Sequence, residues 1–155
     1  MNINCSYFFQ FNEIKKLWII NKLNINSIKF YEDKRPEVGL IESIDYVEGS
    51  LIEIEIDSEN TSLSQKLNDN SFDISLDTTI NLIDYITSTE LQSYLCDKFL
   101  VIFRTGEKMY FVFGVDEGAK LTYDLNLDSN NAYKVSLSEN NSIYPIFQSS
   151  PSIIQ

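Results

Sequence analysis

Carboxylates are the side chains of this sequence whose types and spacing best suit acid–base chemistry. Glu53 and Glu55 stand two residues apart, and Asp116 and Glu117 are adjacent. Pairs of carboxylates act as general acid and as base or nucleophile in glycoside hydrolysis. The sequence has no histidine, so the commonest general base is missing. Glu53 and Glu55 alternate with isoleucines, where solvated charges are expected, and we therefore predict no catalytic residues and no enzyme.

The alternative use of such acids is a divalent-cation site. Asp116, Glu117, Asp124 and Asp128 are close in sequence, and hard cations prefer clustered oxygen ligands. Acidic residues are also common in solvent-exposed loops, so the presence of these four needs no ligand to explain it. The sequence contains no DxDxDG calcium loop, no glycine-rich phosphate loop and no CxxC spacing. We therefore predict no metal and no cofactor, and we expect Cys96 to be a small core residue.

Acidic residues are concentrated in the middle of the chain. The net charge of the whole chain is −11. Between residues 42 and 90, Lys66 is the only base. The carboxylates there are Glu42, Asp45, Glu48, Glu53, Glu55, Asp57, Glu59, Asp69, Asp73, Asp77, Asp84 and Glu90. The absence of a basic stripe argues against sequence-specific reading of nucleic acid. Same-sign charge at this density favours a surface that faces water, cations or a polyanion to be repelled.

Alternation with a period of two predicts the strands that carry these acids. Residues 50–57 alternate isoleucine with acidic residues, as expected for a strand with one wet face. Residues 72–82 place their apolar side chains on one parity and predict a second strand. A helix over 79–86 is the alternative there, because its isoleucines also fall at helical spacing.

A short helix is predicted to follow these strands. Thr87 and Glu90 have the spacing of a capping box, and Leu91, Tyr94 and Leu95 would lie on one side of the helix.

The most apolar stretch, residues 98–118, predicts a hairpin at the centre of the domain. Its two runs, 99–104 and 109–115, are apolar on both parities, so both faces of each strand should be covered. Residues 121–127 and 133–137 follow as amphipathic strands.

The N-terminal third predicts strands over 7–11 and 25–31, whereas 14–20 fits either a strand or a helix. In total the chain predicts seven to nine strands and one or two short helices. The expected fold is therefore mainly β, a β-sandwich or barrel-like arrangement of antiparallel sheets, in a single domain of residues 1–155.

Both ends of the chain are more apolar and aromatic than a small sheet needs to cover itself. We therefore predict interface arms at 1–12 and 143–155. A core position suits Trp18 as well as an interface does. The candidate contact residues are Phe8, Phe9, Trp18 and Phe147. The N-terminus has no basic region and no long apolar run, so we expect neither a signal peptide nor a membrane anchor.

The second half of the chain resembles a known class of virion proteins. An amphipathic strand and the short helix precede the hairpin "KFLVIFRTGEKMYFVFG", which is followed by "LTYDLNL", "AYKVSLS" and "IYPIF". This succession, over residues 70–148, resembles small β-rich neck and tail proteins of double-stranded DNA phages that infect Bacteroidetes, including crAss-like phages.

The resemblance implies a ring-forming head-to-tail connector or tail component. Its partners would be identical subunits, neighbouring portal, ring or tail proteins, and genomic double-stranded DNA that passes without sequence readout; no membrane is implied. The protein would reside in the neck or tail of the virion, after assembly in the host cytoplasm. A negative lumen lets DNA slide without sticking. The proposed channel-facing acids are Glu53, Glu55, Asp57, Asp73 and Asp77.

A small acidic interaction module is the alternative function. An immunity or inhibitor protein, or a DNA mimic, would use the same carboxylates to bind a basic partner.

Overall fold

The computed structural model describes residues 14–31, 40–81, 85–106, 109–126 and 132–154, which form a mainly β fold as predicted. One α-helix, Tyr85–Ser93 (α1), lies between the sixth and seventh strands. Short 3-10 turns occur at Lys22–Asn24, Ser58–Asn60 and Pro151–Ile153. The strands are Ile14–Asn21 (β1), Ile25–Phe30 (β2), Leu40–Tyr46 (β3), Leu51–Ile54 (β4), Ser62–Asn68 (β5), Ser71–Ile80 (β6), Lys98–Thr105 (β7), Tyr110–Phe113 (β8), Ala119–Asn126 (β9), Ala132–Ser142 (β10) and Phe147–Ser149 (β11).

All of these strands belong to one sheet, in the order β2-β3-β11-β8-β7-β9-β10-β6-β5, with β1 paired to β7 and β4 paired to β1. β7 is the branch point. One edge of β7 pairs with β1, and the other pairs with β9 at its start and with β8 from Val101 to Arg104. The expectation of purely antiparallel pairing is wrong at one place, because β11 runs parallel to β3.

Alternate side chains of β7 enter two different hydrophobic cores. Phe99, Val101 and Phe103 pack in the first core with the inward residues of β1, β6, β9 and β10. Leu100 and Ile102 pack in the second core, which also takes residues of β1, β3, β8 and β11. The prediction that both faces of this hairpin strand are covered is therefore confirmed. Since these β7 residues are at most 1% exposed, β7 anchors the whole sheet.

The strand predicted over 72–82 is confirmed as far as Ile80, which pairs with Tyr133 of β10. The helical alternative is wrong at this point, because the apolar residues of β6 face the first core with a period of two. The helix exists further along the chain. It begins at Tyr85, so Thr87 lies inside it and is not the N-cap that the capping-box spacing suggested.

The N-terminal region resolves into strands where the structure describes it. Residues 14–20 form β1 rather than a helix, and the strand predicted over 25–31 is confirmed as β2. The predicted strand over 7–11 lies outside the described residues. The strand number exceeds the predicted seven to nine because β3, β5 and β11 were not recognised from the sequence.

Candidate functional site

Glu53 and Glu55 are exposed on and just after β4, as the alternation predicts. The Glu53 carboxylate is not isolated, however, because the Lys16 Nζ lies 3.3 Å from its Oε1. Lys16 belongs to β1, which is hydrogen-bonded to β4. The first part of the predicted acidic surface is therefore partly neutralised by a neighbouring strand.

Asp57 organises the turn that follows β4. Its Oδ1 accepts a hydrogen bond from the Glu59 N–H at 3.1 Å, and its Oδ2 accepts from the Asn60 side-chain amide at 2.7 Å. The hydrogen bond from Asn60, with a second from Asn81, lowers the pKa of the Asp57 carboxyl. The backbone N–H of Asp57 donates to Thr79 O at 3.1 Å, so this turn joins β4 to the end of β6. Asp57 thus has a structural role in addition to its charge.

Asp73 and Asp77 lie on β6, on the side away from the first core. Asp73 accepts a hydrogen bond from the Asn141 N–H at 3.0 Å and stands directly opposite Lys66 of β5. Asp77 is exposed, and Ser136 of β10 stands opposite it.

These two aspartates belong to an outward surface of β5, β6, β9 and β10 that we call the polar face. Its charged members are Lys66, Lys120, Lys134, Asp73, Asp77 and Asp124, and serine and threonine fill the positions between them. Lys134 stands directly opposite Asp124 and diagonal to Asp77. Three lysines offset three aspartates, so the polar face has balanced charge and is not uniformly negative.

A hollow of about 350 Å³ opens on the polar face between Asp77, Thr79, Asp124 and Lys134. Its lining combines polar and apolar surface and carries both signs of charge. The polar side chains offer hydrogen bonds to a small polar group.

The acids considered for a cation site are spread apart. The Asp116 Oδ2 accepts a hydrogen bond from the Ile143 N–H at 3.1 Å, near the start of β9. Asp124 is near the other end of β9, about 16 Å from Ala119 at the usual rise per residue. Asp128 lies outside the described residues. Within the described part of the chain, no three acidic, cysteine or histidine side chains gather in a way that would hold a metal ion.

Two of the four predicted contact residues pack inside the chain. Trp18 is 7% exposed and Phe147 is 1% exposed, and both belong to the second core. Phe147 is the first residue of β11, which lies between β3 and β8, so this part of the predicted arm at 143–155 is a strand of the sheet. Side chains buried this deeply offer little surface to a neighbouring molecule. Phe8 and Phe9 lie outside the described residues.

Cys96 is also placed differently from the prediction. Its side chain is exposed after the end of α1 and takes no part in either core.

Several exposed apolar side chains lie at the same end of the strands, and we call this set the apolar pole. Eight large hydrophobic side chains are exposed among the described residues, and six of them are in this group. Leu23 is 90% exposed and Ile143 is 62% exposed. The members of the apolar pole are Leu23, Val47, Leu67, Leu95, Ile143 and Tyr144.

Hydrogen bonds join the segments that carry three of these residues, Leu23, Val47 and Ile143. The Lys22 Nζ donates to Asp116 O at 3.0 Å, and the Asp116 carboxylate accepts from the Ile143 N–H, which ties the turn before Leu23 to the residues after β10. The Val47 N–H donates to Asn24 O at 2.9 Å. Sequence patterns did not reveal the apolar pole, because its residues come from turns and strand ends that are far apart in the chain.

Three exposed acidic residues, Glu48, Asp69 and Glu117, lie in turns at the same end as the apolar pole. The exposed bases Lys66 and Lys98 lie near this end as well. This arrangement suits a partner surface that presents apolar side chains with basic residues around them.

The described residues contain no helix with the length and apolarity needed to cross a membrane. No family model, no curated protein and no solved structure matches the chain.

Proposed function

We propose that the chain is a structural protein of a phage virion, a ring-forming head-to-tail connector or tail component that surrounds the DNA channel. The observation that carries the proposal is the apolar pole. Exposed hydrophobic residues that occur singly are normal on a protein surface, whereas a group of them with a polar rim is typical of an interaction site. This surface takes the place of Trp18 and Phe147 as the contact region.

An interface confined to one end of the subunit suits a heterologous contact. The apolar pole of one copy would bind a different surface of the next copy, and such contacts close into a ring when the rotation between subunits divides a full turn. The acidic residues Glu48, Asp69 and Glu117 would set the orientation of the neighbour.

The channel-facing surface would contain fewer acidic residues than the sequence suggested. Glu53, Glu55, Asp57 and Glu59 follow one another along β4 and the next turn, and we call this set the acidic edge. Lys16 offsets one of its charges. The charge-balanced polar face would repel a phosphate backbone less than the acidic edge does.

The acidic edge also favours the second candidate function, an inhibitor or immunity module that binds a basic partner. Such a protein would need one complementary surface and would work as a single copy. The two functions differ in whether the apolar pole joins identical subunits.

Assembly tests the proposal directly. Size-exclusion chromatography with light scattering should show a monomer or small oligomer alone and a ring on the portal protein of the same genome. The double variant Leu23→Asp, Ile143→Asp should remain folded by circular dichroism and fail to assemble. The matched control is Leu125→Asp, because Leu125 is exposed near the other end of the fold. Assembly by the double variant as complete as by the unaltered chain would contradict the proposal.

A further inference from the structure

A row of polar side chains crosses four strands at the edge of the second core. Lys16 of β1 stands directly opposite Arg104 of β7, Arg104 stands opposite Tyr110 of β8, and Tyr110 stands opposite Ser149 of β11. Directly opposed residues of antiparallel strands project from the same face of a sheet. The four side chains therefore form one continuous row, which is independent of the apolar pole.

Two polar atoms in this row are buried without a hydrogen-bond partner in the described part of the chain. They are the Arg104 Nε and the Ser149 Oγ. Ser149 is only 4% exposed, so water has little access to its hydroxyl. Native proteins rarely leave buried polar groups without a partner, so two such groups on one face call for an explanation, and a bound ion or water is one.

The charges of the row also favour the binding of an anion. Lys16 and Arg104 are like charges placed directly opposite each other, an unfavourable arrangement that the Glu53 carboxylate relieves only on the Lys16 side. The Lys16 ammonium contacts Glu53. For Arg104, the described residues provide no ion pair, so its guanidinium lacks an anionic partner there.

The surroundings would strengthen the binding of an anion. Tyr110 of the row stacks on Trp18 with ring centroids 6.0 Å apart, and Ile41, the parallel partner of Ser149, is fully buried in the second core. Apolar walls lower the local dielectric and make charge-assisted hydrogen bonds more favourable than they are in water.

We propose that Lys16, Arg104, Tyr110 and Ser149 form a binding site for an oxyanion, a carboxylate or a phosphate. The guanidinium of Arg104 binds two oxygens of the anion side by side, which is its preferred geometry with either group. The hydroxyls of Tyr110 and Ser149 donate to the remaining oxygens, and Lys16 contributes charge. The site does not depend on the proposed assembly function.

Trp18 provides the readout, because it is the only tryptophan of the chain and stacks on Tyr110. Inorganic phosphate and succinate are titrated separately into the full chain, with sodium chloride at matched ionic strength as the reference. We expect a saturable change in Trp18 fluorescence and a rise in Tm with at least one of the two anions. The anion that saturates the signal identifies the ligand group as phosphate or carboxylate.

Variants then locate the site. Arg104→Gln should weaken the binding of the anion at least about tenfold, and Ser149→Ala should weaken it by a smaller factor. Lys134→Gln removes an exposed lysine of the polar face and should bind as the unaltered chain does. The proposal is overturned if neither anion differs from chloride, if Arg104→Gln binds equally well, or if Lys134→Gln causes the same loss. Should Arg104→Gln fail to fold, the titration of the unaltered chain and Ser149→Ala decide the question.

Discussion

The carboxylate of Glu139 accepts a hydrogen bond from the backbone N–H of Gly118 at 2.8 Å, although the Glu139 side chain is only 3% exposed. Gly118 has a φ of 98° and leads into β9, at the corner where the chain leaves β8. Lys22 reaches the same corner, where its Nζ donates to Val115 O at 2.8 Å and to Asp116 O at 3.0 Å. A buried acid and a half-buried base thus hold the corner that supports the apolar pole.

Removal of the Glu139 carboxylate should destabilise the fold. Glu139→Ala leaves the buried Gly118 N–H without an acceptor, which costs about 1–3 kcal/mol, and also leaves a cavity. Glu139→Gln retains an amide oxygen that can accept the bond, so it should cost less. Urea unfolding measures both free energies. Glu117→Gln, on an exposed residue of the same corner, is the control and should change the free energy of unfolding by less than about 0.5 kcal/mol.

Lys22 should make stability depend on pH in the alkaline range. Partial burial lowers the pKa of Lys22 from its ordinary value of 10.5, although Glu139 and Asp116 act in the opposite direction. In the interval between the lowered pKa and 10.5, the unfolded chain binds more protons at this residue than the folded chain does. The contribution of Lys22 to stability therefore rises with pH across that interval.

The comparison of two lysine variants isolates this effect. Urea midpoints are measured from about pH 8 to about pH 10.5 for the unaltered chain, for Lys22→Met and for Lys120→Met, in which an exposed lysine is replaced. The alkaline gain should be missing only in Lys22→Met, whatever the other lysines and tyrosines contribute. Equal pH profiles for all three proteins would exclude a role of Lys22.

The acidic edge should affect the passage of DNA without affecting folding. Replacing Glu53, Glu55 and Glu59 together with lysine reverses the charge on exposed positions and should change the free energy of unfolding by less than about 1 kcal/mol. In the proposed ring these lysines would attract phosphate and slow the ejection of the genome. Asp57 is left unchanged because it holds the turn.

The rate of DNA release from assembled particles is the measurement for the acidic edge. The matched control replaces Asp77 and Asp124 with lysine on the polar face, where the loss of negative charge should slow release less. Normal release and infectivity of particles that carry the acidic-edge variant would show that the acidic edge does not face the DNA.

Strands with a clear period were predictable, and strands with a broken period were not. β4 and β10 alternate regularly, and β7 is apolar on both parities, so each was recognised from its residues. β3 carries its buried residues at Ile41 and Ile44, which are three apart because the β2–β3 register shifts at a bulge. β11 has only three residues. Neither leaves a period that can be counted.

Charge along the sequence was a poor guide to charge on the surface. Lys66 is the only base between residues 42 and 90, yet strand pairing brings Lys16 to Glu53 and Lys29 to Glu42, each at 3.3 Å. The exposure of the acids followed from alternation alone. Their neutralisation depends on strand order, which the local sequence does not encode.

The two-sided burial of β7 can be tested with neighbouring residues. Phe103 packs in the first core and Ile102 in the second, and both are fully buried. Phe103→Ala should cost about 3–5 kcal/mol and Ile102→Ala about 2–5 kcal/mol, from lost burial and the cavity that remains.

A strand with one solvent-exposed face would tolerate one of these two substitutions, because adjacent residues point to opposite faces. Urea unfolding of the two variants therefore distinguishes the two-core arrangement from a simple sandwich strand. Leu125→Ala is the control for the removal of an apolar side chain from an exposed position, since Leu125 is 45% exposed. A cost below about 1 kcal/mol for either core variant would mean that the corresponding face of β7 is not covered as described.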